Sequence, residues 1–237
     1  MLGKKESKHY CFYYPSNSVA EAEIDEIVKH QEQCFQYISQ VLKVNYPYQI
    51  EYYLCNSREE VGQYYGDDEP CSGFARRPNQ VYAVYNETHR CIGFHEDAHL
   101  ISYTINRPKS AAIREGLAMF FDRKWWGIHT MEWVQFYLKH QSYESISDLL
   151  DDEHFFNVSD CLTYPIMGQF TEYLILIYGI ETYLDFYRYQ GTDFKSAFEQ
   201  YFKKSIHQIE TEFIGYLSLF TLDEGVENRA QTLLQKG

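Results

Sequence analysis

No run in this chain approaches the roughly 18 apolar residues of a membrane span. The best stretch, "YLILIYGI" at 173–180, is short and interrupted by Gly179. Positive charge is also scarce: 21 Lys and Arg stand against 34 Asp and Glu, a net charge of −13, and no basic stripe is present. Nucleic acid is therefore not an expected partner, and neither is a membrane. An acidic balance of this kind fits a solvated surface. The six cysteines, at 11, 34, 55, 71, 91 and 161, contain no C-x-x-C pairing. The opening "MLGKKESKHYCFYY" carries charge but no apolar segment behind it. A secretory signal is thus not expected, the thiols are expected to be reduced, and the expected compartment is the cytoplasm. Internal repeats and low-complexity linkers are missing too.

What is present is a globular composition, 45% hydrophobic and 23% charged over 237 residues. That length can bury one sizeable core. Aromatics are abundant, with 23 Tyr and 16 Phe. No single tyrosine is therefore evidence of catalysis by its presence alone.

Strand and helix signals alternate over the first ninety residues. "HYCFYYP" predicts a short strand stopped by Pro15. From Ser18 to Leu42, apolar residues at 24, 27, 28, 35, 38 and 42 predict a helix with one buried stripe. Residues 48–55, "YQIEYYLC", alternate as a half-buried strand, and 73–85 predict a hairpin turning at Arg77-Pro78-Asn79. After Asn86 the pattern becomes helical. Thr88, Ser110 and Thr130 are candidate N-caps for helices that follow each of them. Residues 143–160 predict an acidic loop with one short helical turn. Leu162 to Ile177 carry a further buried stripe that closes at Gly179, and more amphipathic helices follow. The expected class is α+β in one domain. A sheet-bearing lobe over 8–88 would precede a helical lobe over 89–220 and a tail over 221–237.

One motif carries chemistry. "GFHEDAHLISY", residues 93–103, contains H-E-x-x-H. With 9 His and 22 Glu in the chain, chance placement yields about 0.03 such matches. The pattern is rare, but it needs a helix and a third ligand before it means zinc. On a helix, His95 and His99 differ by about 40° and stack one turn apart. Their nitrogens could then share a zinc at about 2.0–2.1 Å. Glu96, about 100° from His95, lies beside such a metal without ligating it, where it can take a proton from water. Asp97, about 200° round, faces away. The candidate third ligand is Glu115 in "IREGLAMFF", near the start of the next predicted helix after a turn at Pro108.

These residues resemble the gluzincin metallopeptidases, in particular the compact peptidase MA-like group. In that family one helix supplies two His ligands and the base, and a second supplies a Glu within an E-G-[LF]-A context. Here the matching stretches are His95-Glu96-Asp97-Ala98-His99 and Glu115-Gly116-Leu117-Ala118. "YPIMGQFTEYLILIYG" at 164–179 and the helical segment ending near Leu217 are loosely similar as well. The resemblance implies a zincin-like fold, one Zn2+ held by His95, His99 and Glu115, and Glu96 as general base. It also implies a peptide or protein substrate laid along the edge of the 73–85 hairpin. Two departures are visible. Asp97 is charged where the family usually is not, and Ala112 stands near a common aromatic position.

Four further residues invite weaker roles. Tyr164 could donate to an oxyanion, Asp122 could orient a ligating histidine, Cys91 could approach the metal, and His154 could titrate in the acidic loop. Packing, solvation or burial of a small side chain accounts for each of them without chemistry. Two functions remain open on the sequence: a zinc peptidase, or a zinc-binding module that does not catalyse. Loss of turnover on changing Glu96 separates them.

Overall fold

Alternating burial in the first half of the chain builds a sheet of five strands. The computed structural model describes residues 2–235. Its contacts divide into two compact units, one ending at Ile105 and the other starting at Asn106.

The first unit runs β1 (Leu2–Glu6), β2 (Tyr10–Pro15), α1 (Val19–Ala22), α2 (Ile24–Leu42), β3 (Ile50–Cys55), α3 (Arg58–Tyr65), β4 (Gly73–Arg76), β5 (Gln80–Val84) and α4 (His95–Ser102). The sheet order is β1-β2-β3-β5-β4. Its three middle strands are parallel, and each edge strand is antiparallel to its neighbour. On one face Tyr10, Phe12, Ile50, Tyr52, Leu54, Val81 and Ala83 are all buried. The stripe Ile27, Cys34, Phe35 and Ile38 of α2 is buried with them. The other face carries a ladder of rings. Tyr13 stacks on Tyr53 at 4.8 Å, Tyr53 on Tyr82 at 4.6 Å, and Tyr82 on Phe74 at 4.9 Å.

Several boundaries differ from the sequence expectation, each for a local reason. β1 is a polar strand, LGKKE, paired with β2. An edge strand of this kind has no apolar pattern to reveal it. The helix expected from Ser18 to Leu42 breaks at Glu23. The Glu23 carboxylate accepts bonds from Tyr85 Oη at 2.6 Å and Arg90 Nη2 at 2.7 Å. The expected lobe boundary at residue 88 falls earlier than the division between the units, and residues 89–105 belong with the sheet.

The second unit is helical: α5 (Ala111–Asp122), α6 (Thr130–Lys139), α7 (Ile146–Leu149), α8 (Asp152–Asn157), α9 (Asp160–Tyr178), α10 (Ile180–Tyr187), α11 (Phe194–Phe202), α12 (Ile206–Leu217) and α13 (Glu224–Leu234). A two-stranded ribbon, β6 (Lys124–Trp125) and β7 (Ile128–His129), lies between α5 and α6. The core of this unit is the crossing of α5 on α9, and glycines permit it. A Cβ on Gly116 would come within 2.6 Å of Thr171 Oγ1 and 3.0 Å of the Met167 carbonyl oxygen. One on Gly168 would lie 2.6 Å from Met119 Cβ. Gly179, with φ +83°, ends α9 where the sequence placed a cap.

The cap of α6 is His129, not Thr130. Its Nδ1 accepts from Met131 N, and Glu132 reaches back to the His129 N–H. The acidic loop expected over 143–160 contains two short helices, α7 and α8. The segment expected as a tail contains α13, tied to α6 by Glu227, which pairs with Lys139 at 2.7 Å and His140 at 2.9 Å. The fold is mixed α+β, with a small N-terminal sheet and a helical C-terminal region. Among the described residues no helix is long and apolar enough to cross a membrane.

Candidate metal centre

The helix carrying the H-E-x-x-H motif begins at His95 rather than at residue 89. Asn86 explains the delay: its side-chain oxygen accepts from the N–H groups of Thr88 and His89 and folds them into a turn. Thr88 is therefore no helix cap. Gly93 follows with φ +132°, outside the helical region, so α4 can start only after it. Cys91 precedes the helix. Its N–H donates to the Val84 carbonyl, and its side chain packs on Cys55, Val61, Tyr82 and Val84. Burial pushes the Cys91 thiol up. It behaves as a small packed residue.

Within α4 the spacing acts as the sequence implies. The imidazole rings of His95 and His99 lie 4.9 Å apart and nearly perpendicular. His95 is half-buried, and His99 is buried. Glu96, half-buried, projects toward β4: a Cβ on Gly73 would come within 3.3 Å of Glu96 Oε1. Gly73 thus leaves room for the carboxylate.

Asp97 is fully buried and points into the sheet side of the helix. Its Oδ2 accepts from Tyr10 Oη on β2 and from Gln31 Nε2 on α2, the latter at 3.0 Å. The same Gln31 amide donates to the Gly93 carbonyl at 3.1 Å. One side chain therefore bridges the loop entering α4 and the first turn of the helix. Burial, and then the Asp97 carboxylate, push the Tyr10 phenol well up. The charged residue that departs from the usual motif is the anchor of its helix. Sequence reasoning missed Gln31, although a signal existed. It fills the helical position between Ile27 and Phe35, a polar residue in an otherwise apolar stripe.

Glu115 lies in the first turns of α5 and is half-buried. Ser110 precedes that helix without capping it through its side chain. Asp152 Oδ1 accepts the Ala111 N–H instead, at 2.6 Å. Among the described residues, His95, His99 and Glu115 are a group that could hold a metal ion. Two imidazoles and one carboxylate are also a donor set that suits zinc.

The other three candidates lie on helices of the second unit. Tyr164 packs its ring against Trp125 at 5.3 Å and Phe155 at 6.1 Å. His154 pairs with Glu144 at 3.2 Å on the surface. Asp122 is the last residue of α5.

β4 is the edge strand of the hairpin. Val84 donates its N–H to the Ser72 carbonyl, which sets the alternation of the antiparallel pair. Phe74 and Arg76 then bond β5, while the main-chain groups of Gly73 and Ala75 face away from it; of these, the Gly73 carbonyl accepts from Cys71 Sγ at 3.1 Å. No protein-family model matches this chain, and no curated protein matches it either.

Proposed function

We propose that the chain is a zinc-dependent peptidase of the gluzincin type. The observation that carries this reading is the set His95, His99 and Glu115, three donors of the right kind that could hold a metal ion. When bound there, zinc supplies Lewis acidity and lowers the pKa of a coordinated water toward about 7. The chain's own residues do the rest. Glu96 adjoins the histidine pair on α4 without belonging to the ligand set. Its carboxylate takes the proton of the attacking water and delivers it to the leaving amine. The outward-facing Gly73 N–H and the main-chain groups of Ala75 receive an extended peptide by strand addition. Gly73 stands beside Glu96, so a peptide bound on that edge is held near the base.

The test is cleavage of an unbiased peptide library by protein purified without added metal. Hydrolysis is expected, abolished by chelation and restored by stoichiometric zinc. Cleavage that survives complete removal of the metal would overturn the reading. Stoichiometric zinc without any cleavage would favour the non-catalytic zinc-binding module.

A further inference from the structure

Tyr103 follows His99 by one helical turn, on the same side of α4. Its hydroxyl lies 3.3 Å from His99 Nδ1, and the two rings are stacked, 5.6 Å apart at 28°. The Tyr103 N–H donates to the His99 carbonyl at 3.0 Å, so the backbone beneath the contact is fixed. A neutral imidazole has one protonated nitrogen and one lone pair, and a metal needs the lone pair. Since the hydroxyl occupies Nδ1, the nitrogen left for a metal is Nε2.

We propose that Tyr103 is a positioning residue for His99. Its oxygen accepts the Nδ1–H bond, which keeps the lone pair on Nε2 and fixes the rotation of the ring. The purpose of this lock rests on the zinc-centre reading, but the tautomer belongs to the chain itself. Free histidine favours the opposite form, with the proton on Nε2. Without Tyr103, metal binding would first have to move that proton. Outer partners of ligating histidines typically contribute 10- to 100-fold in metal affinity. Tyr103 is the residue that sequence reasoning passed over, although its spacing of four from His99 continues the spacing of His99 from His95.

Tyr103→Phe removes the oxygen and keeps the ring. In the metal-free full-length protein with His99 neutral, long-range ¹H–¹⁵N correlation reports the tautomer directly. The His99 signals are assigned by their loss in His99→Gln. Wild type should show Nδ1–H, and Tyr103→Phe should shift toward Nε2–H. Chelator competition should show zinc held about 10- to 100-fold more weakly by the variant, with the melting temperature of the metal-free protein unchanged. Nε2–H in wild type, or the same tautomer in both proteins, would overturn the proposal. So would equal zinc affinity. A wild type that binds no zinc, yet switches tautomer as described, would refute the zinc centre and uphold the lock.

Discussion

Glu96→Gln should lower kcat/KM for peptide hydrolysis by about 10²- to 10⁴-fold, the usual contribution of a positioned general base. The glutamine has nearly the same size and keeps a hydrogen-bonding end, so it fits the space beside Gly73. What it lacks is an oxygen that can hold a proton at neutral pH. Zinc content should be unchanged, because the proposed ligands are His95, His99 and Glu115. The melting temperature should also hold, since Glu96 is only half-buried. Steady-state kinetics on the best library peptide, alongside metal analysis of the same preparation, measures all three. A variant that keeps most of its activity would place the base elsewhere. A variant that loses zinc would make Glu96 a ligand and change the chemistry assigned to it.

Asp97→Ala should be the most destabilising single change in the first unit. The carboxylate accepts from Tyr10 and Gln31 in a site where all three residues are buried. Truncation leaves a buried phenol and a buried amide without that acceptor, and a cavity beside them. Hydrogen bonds to a buried carboxylate contribute about 1.5–3 kcal/mol each, so losing the two costs about 3–5 kcal/mol. For a chain of this length that is a fall in Tm of about 6–20 °C. Asp97→Asn retains an oxygen for Tyr10 and should cost clearly less. Thermal unfolding followed by circular dichroism decides it. A Tm for Asp97→Ala within a degree or two of wild type would mean that α4 is held by other contacts.

The lesson about legibility follows from the same helix. The four-residue spacing of His95 and His99 and the turn of Asp97 away from them follow from helical geometry alone, and α4 shows both. What Asp97 turns toward does not follow. Tyr10 and Gln31 are distant in sequence and meet it only once β2 and α2 are packed. The start of α4 was misplaced because Asn86 and Gly93 act through side-chain capping and a positive φ, which periodicity does not register. The hairpin was legible from Arg77-Pro78-Asn79, but which strand forms the edge depends on the order of the whole sheet. The polar strand β1 and the His129 cap escaped for a related reason, since neither carries an apolar pattern or a common capping residue. The helical half was legible through its stripes. The closeness of α5 to α9 was not, because it depends on Gly116 meeting Thr171 and Met167.

The most direct measurement is elemental analysis of protein purified without added metal, wild type beside the His95→Ala, His99→Ala double variant. One zinc per chain is expected in wild type and none in the variant, with both proteins folded. Stoichiometric zinc persisting in the double variant would contradict the centre proposed at His95, His99 and Glu115, and so would a folded wild type that takes up no zinc even when it is supplied.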